Sequence, residues 1–274
     1  MQQATTPAKD WDLNQVPFSD IDLTAIKEQE DLFYMVTAAS FVEIAADLYT
    51  DNLIRYFNDN ADVVHWLENS WKPEEVRHGH VLRDYVRHVW PEFDWDRAYA
   101  EFFADYSRIC TVDAFEPSRS LEMVARCVVE TGTSTFYQSL AAQTSEPVLT
   151  GIANRIRTDE INHYKHFYRY FRMYHAIEPP GRLRILGALK RRILEARNSD
   201  AECALWHVYS VRETAAGPDK VKFRALCNRL SKRVQRHYPV TMAAKMLLRP
   251  LDLPAVVARA IQGPVARATA WLLR

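Results

Sequence analysis

Two short motifs carry most of the chemistry this sequence can do: Glu75-x-x-His78 and Glu160-x-x-His163. Residues three apart on a helix share one face, about 5–6 Å apart at Cβ, so each motif can offer a carboxylate and an imidazole to one point. Two further acids, Glu43 and Glu130, precede the motifs by 32 and 30 residues and lie in apolar runs, Val42-Glu43-Ile44 and Val128-Val129-Glu130. A carboxylate in such surroundings is costly unless it is paired or bound to a cation. Four carboxylates and two imidazoles form a hard, mixed O/N ligand set that suits Fe or Mn and lacks the thiolates of structural zinc. The set predicts two metal ions held between four helices. Iron is favoured, and the ligand type also admits manganese or a mixed Mn/Fe pair. The alternative is a buried ion-pair network, which the repetition of the motif behind a matching mid-helix Glu disfavours.

Those six residues need four long helices to position them. Apolar residues near the helical period, from Leu32 to Leu53, predict a first helix over 27–57 with Glu43 in its middle. A second is expected over 70–90, with Ser70 as its cap and Pro73 in the first turn, and a shorter one over 96–109. A third starts after Pro117-Ser118 and stops near Ser145-Glu146-Pro147. A fourth covers 148–175 and is closed by Pro179-Pro180-Gly181. Short links within each pair and one long link between pairs predict an all-α, ferritin-like four-helix bundle with one long crossover. The expected organisation is an N-terminal arm (1–26), the bundle (27–180) and a helical C-terminal extension (181–274). Helices in the extension are expected over about 182–197, 220–237 and 255–273.

The chain has 274 residues, 48% hydrophobic and 26% charged, and its formal charge is zero. That balance hides an asymmetry. Residues 1–180 carry 16 Lys+Arg against 29 Asp+Glu, net −13, and residues 181–274 carry 19 against 6, net +13. An acidic bundle with a basic extension follows, and the extension could dock an acidic carrier protein or an anionic membrane surface. No specific nucleic-acid partner is expected. Cys110, Cys127, Cys203 and Cys227 show no Cys-x-x-Cys spacing and read as free thiols. The polar N-terminus has no apolar leader core, and no stretch is expected to reach the roughly 18 apolar residues of a spanning helix, so the cytoplasm is the default compartment.

Glu74-Glu75-Val76-Arg77-His78-Gly79 resembles the Glu-Glu-x-Arg-His-Gly of the soluble acyl-carrier-protein desaturases, and Asp159-Glu160-Ile161-Asn162-His163 is similar to their Asp-Glu-x-Arg-His. The resemblance covers about residues 30–175. It implies iron ligation by Glu75, His78, Glu160 and His163, a ligand role for Glu130, and a hydroxyl on the oxygen side at Thr133. It also implies that Asp159 orients a ligand histidine. Asn162 stands where the family has Arg, and Thr131-Gly132 where it has Arg-Ala. Rubrerythrins, ribonucleotide reductase small subunits and aldehyde-deformylating oxygenases share the ligand set. The implied activity is that of an O₂-dependent di-iron oxidoreductase acting on an acyl chain or a similar apolar substrate. The alternatives are an amine- or aldehyde-oxidising di-iron oxygenase, and a metal-storage or peroxide-scavenging protein. The run Thr131-Gly132-Thr133-Ser134 favours oxygen chemistry, because small residues leave space beside the metals; Gly132 serving close helix packing is the other reading. With no Gly-x-Gly-x-x-Gly fingerprint for a flavin or nicotinamide, electrons would come from an external donor such as a ferredoxin. A homodimer through the first two helices is implied by the same analogy. His80, His88, His166 and His175 are expected outside the ligand set, and Trp66, Trp71, Trp90 and Trp95 are expected as packing anchors.

Overall fold

The computed structural model describes residues 11–112, 115–195, 200–213, 217–254, 256–257, 260 and 262–264. Among them there is no strand, and the fold is all-helical. Nine helices of nine residues or more are numbered here in chain order. α1 is Glu30–Tyr56, α2 Lys72–Val89, α3 Trp95–Ile109, α4 Arg119–Gln143 and α5 Pro147–Ile177; α6 is Arg182–Glu195, α7 Asp200–Arg212, α8 Lys220–Arg236 and α9 Val240–Leu248. α1 packs along α2 and α4 along α5, and α3, in the link between the two pairs, packs on α1 and α7.

Local chemistry sets the helix ends. The Ser118 hydroxyl accepts the Leu121 amide at 3.4 Å to open α4. Glu146 opens α5, accepting the Val148 and Leu149 amides at 3.0 and 2.7 Å ahead of Pro147, whose missing N–H costs nothing in the first turn. The same buried carboxylate accepts the Tyr85 hydroxyl of α2 at 2.8 Å and so ties the two helix pairs together.

The start of α2 departs from the expected form, because Ser70 is not a cap. The chain is already helical from Ala61, capped by Asn60, and continues through π-helical turns over Leu67–Trp71 directly into Lys72. A wide turn shifts backbone pairing away from the i−4 carbonyl that a proline ring would strike, so Pro73 fits without ending the helix.

The arm is strapped to the body: Trp11, Val16 and Ile26 are buried in the same apolar cluster as α1 and α2. One expectation is corrected at α1. An 18-residue window of Glu30–Tyr56 has mean hydropathy 1.3, so by length and composition this helix could cross a membrane. Yet 67% of that window is buried inside the protein, and the helix carries Glu43.

The basic segment also folds onto the bundle. α6 and α9 pack on α4, and α7 packs on α1 and α3. α7 and α9 have no counterpart among the sequence expectations, and the helix expected over 255–273 lies largely outside the described residues. All four cysteines are free.

Candidate metal centre

The four long helices bring the six predicted ligands together. Ligand atoms of Glu43, Glu75, His78 and Glu160 lie within 4.8 Å of one another, and so do those of Glu75, Glu130, Glu160 and His163. All six residues are buried. Glu75 and Glu160 belong to both groups, which makes them the carboxylates able to bridge two cations. His78 Nδ1 stands 3.2 Å from Glu160 Oε1 and 3.6 Å from Glu43 Oε2. His163 Nδ1 stands 3.0 Å from Glu75 Oε1 and 3.7 Å from Glu130 Oε2.

The unsatisfied atoms test whether a cation fits. Glu43 Oε2, His78 Nδ1, Glu130 Oε2, Glu160 Oε1 and His163 Nδ1 are all buried and have no hydrogen-bond partner. Buried polar atoms are nearly always partnered, and leaving one unpaired costs about 1–3 kcal/mol. Five such atoms from four helices, all of metal-ligating type, meet at two overlapping positions with only ion-pair contacts between them. The buried acid and histidine groups can hold metal.

The residues' own electrostatics agree. Burial, and then the charges of Glu160 and Glu43, hold the Glu75 carboxyl well above the ordinary range. Burial and Glu160 push Glu130 up to about 8. Burial acts against the imidazolium of His78 and His163, but the surrounding carboxylates outweigh it, Asp159 first at His78 and Glu130 first at His163, and raise both. Burial would raise Glu160 too, and the two histidines overcome it and hold this carboxylate well below its usual value. The cluster takes up positive charge in whatever form is supplied, as protons or as cations.

Each histidine is set by a carboxylate from the opposite helix. His78 Nε2 lies 3.0 Å from Asp159 Oδ2, and His163 Nε2 lies 2.7 Å from Glu74 Oε2. A carboxylate can only accept there, so each ring presents Nδ1 to the centre. Asp159 directly precedes Glu160 and Glu74 directly precedes Glu75, so the two motifs read Asp/Glu-Glu-x-x-His and exchange their orienting acids across the helix pair. Asp159 accepts a further bond from Trp11 Nε1 at 2.8 Å, with Arg77 Nη2 3.5 Å away. Burial would raise Asp159, but His78 and then Trp11 outweigh it and lower its pKa.

Three more side chains fix the free carboxylate oxygens. Tyr137, fully buried, donates a short hydrogen bond to Glu43 Oε1. Trp71 Nε1 donates to Glu130 Oε1 at 3.3 Å from the π-helical segment. Thr133 Oγ1 donates to Glu160 Oε2 at 2.6 Å.

Sequence reasoning missed the contacts of Glu74, Tyr137, Trp71 and Trp11. The acid before each Glu-x-x-His was a visible signal for Glu74; the other three depend on distant chain crossings. His80 and His88 have no place in the cluster, whereas His166 stacks on Trp66 with ring centres 4.9 Å apart, beside His163. No family model and no curated protein matches the chain, so the functional reading rests on the geometry of these residues.

Proposed function

We propose that the chain is a ferritin-like protein holding two iron ions between Glu43, Glu75, His78, Glu130, Glu160 and His163, and that it is an O₂-dependent oxidoreductase acting on an acyl chain or similar apolar substrate. The observation that carries the reading is the convergence of five buried ligand atoms, none of them hydrogen-bonded, on two overlapping positions. Reduced iron, when bound, supplies the electrons for O₂ and the oxidising power for an unactivated C–H bond. The chain's residues supply the rest.

Glu75 and Glu160 reach both cation positions, while Asp159 and Glu74 keep each imidazole lone pair turned inward. Tyr137 holds its proton against Glu43, and burial beside that acid keeps the phenol from ionising. Trp66 and Trp71 stand edge-on to His163 and exclude water from that side. Thr133 has a proton to give at Glu160 Oε2. A depression of 830 Å³, lined by Ile161, Tyr238, Val240, Met242 and Met246 among others, offers an apolar chain a place to lie; Ile161 directly follows Glu160.

The test is O₂ uptake by the reduced, iron-loaded protein with a mixture of acyl thioesters, followed by mass spectrometry of the acyl groups. Loss of two hydrogens or gain of one oxygen is expected. Thr133→Val, close in volume but without the hydroxyl, should keep its iron and slow product formation by roughly 100-fold or more. Rapid iron oxidation with no altered acyl product, and the same rate in Thr133→Val, would leave storage or peroxide scavenging as the function.

A further inference from the structure

The outer face of α6 has a composition that the metal centre does not explain. At about 100° per residue, Leu183, Leu186, Lys190 and Leu194 share one side of the helix, opposite the buried Ile185, Ala188 and Leu189. The three leucines are 85%, 52% and 44% exposed, and Ile177, at the end of α5 just before, is 78% exposed. Cations flank the row: Arg184 and Arg191 on one side and Arg182 on the other, with Lys190 within it. Arg182 donates to the carbonyls of Leu251 and Asp252 and so ties α6 to the turn after α9. Of the acids nearby, Glu116 is bound by Arg191 through two hydrogen bonds, Glu195 pairs with Arg192, Asp252 pairs with Arg172, and Glu178 stands at the end of α5.

We infer that α6 and the adjoining end of α5 form a docking face for an anionic lipid surface. A membrane interface takes single apolar side chains a few ångströms deep between cations that meet the headgroups, and α6 presents that alternation. A protein partner of stable affinity would need roughly 800 Å² per side with a contiguous apolar centre, whereas here the leucines are divided by Lys190 and bordered by arginines. Of the five Lys+Arg within Arg182–Glu195, Arg191 and Arg192 are paired with Glu116 and Glu195, and the remaining Arg182, Arg184 and Lys190 favour an anionic over a neutral surface.

The full-length, metal-loaded protein tests this by co-sedimentation with phosphatidylcholine vesicles with and without about 30% phosphatidylglycerol, at about 50 mM and 500 mM salt. Binding to the anionic vesicles should exceed binding to the neutral ones roughly tenfold at low salt and weaken at high salt. The double variant Leu183→Glu, Leu186→Glu changes exposed positions only. It should keep the thermal transition and the metal content and lose at least about tenfold in vesicle affinity, and Arg184→Glu, Lys190→Glu should lose a similar amount. Absence of vesicle binding, or wild-type binding by the leucine variant, would overturn the inference. So would a wild-type dimer that the leucine variant dissolves, which would assign the face to a second copy, and so would binding to an acidic carrier protein but not to vesicles.

Discussion

His78 and His163 are each held from behind by an acid that the other helix contributes, and this exchange is the most specific feature of the centre. An imidazole that loses its outer carboxylate can turn or change tautomer, and metal affinity typically falls about 10- to 100-fold. Asp159→Asn and Glu74→Gln should each weaken iron binding by that factor, measured by competition with a chelator, with the helical signal unchanged. The two effects need not match. Asp159 also accepts from Trp11 and lies beside Arg77, whereas Glu74 is more exposed, so the larger loss is expected at Asp159. If both variants hold iron as tightly as the wild type, the cross-helix acids are ordinary surface-side partners and do not orient the ligands.

At the scale of elements, the contact of α1 with α2 is set by a glycine. A Cβ at Gly79 would stand 2.6 Å from the Ile44 backbone nitrogen and 3.0 Å from the Ser40 carbonyl oxygen, whereas a Cβ at Gly132 would meet nothing within 4 Å. Gly79→Ala must therefore push α1 and α2 apart beside Glu43 and His78, at a cost of about 1–3 kcal/mol or more and a loss of metal. Gly132→Ala, in open space mid-helix, should instead stabilise by about 0.5–1 kcal/mol. Thermal melts of the two variants decide between them, and equal effects would remove the close-approach argument. The contrast also shows what the sequence made legible. The four long helices and the grouping of the six acid and histidine residues could be read because apolar period and Glu-x-x-His spacing are local signals. α7 could not, although Ala204, His207, Val208 and Val211 keep the i, i+3, i+4, i+7 spacing of one stripe, because Leu205, Trp206 and Tyr209 add apolar residues on other faces and blur it. α9 is nine residues of mostly apolar character behind Pro239, too short for its period to show. Ser70 misled because it resembles a cap, and the π-helical turns that carry the chain past it leave no mark in composition. Neither reading of Gly132 holds: it is exposed and a Cβ there would meet nothing, so the open space beside it is solvent, and close helix packing falls to Gly79 instead.

Across the whole molecule, an acidic body and a basic segment of equal and opposite charge meet through specific pairs. Arg191 grips Glu116 through two bonds, Arg229 reaches Glu30 and Asp31, Arg233 reaches Asp31, and His207 lies 3.1 Å from Asp105. Exposed pairs of this kind are each worth about 0–1 kcal/mol, so they orient the covering helices more than they hold them. The holding comes from apolar burial, with Phe223, Leu226 and Leu230 of α8 and Val208 and Tyr209 of α7 in one cluster with α1 and α2. That cover encloses a centre whose defining property is a demand for positive charge at two overlapping positions. The most direct test is the metal-to-chain ratio of protein produced with ample iron, measured by inductively coupled plasma mass spectrometry on the wild type and on Glu75→Ala, Glu160→Ala, which removes both shared carboxylates. The account predicts close to two metal ions per chain, mainly iron, and almost none in the double variant. A wild-type protein free of iron and manganese, or a double variant that keeps its metal, would contradict it.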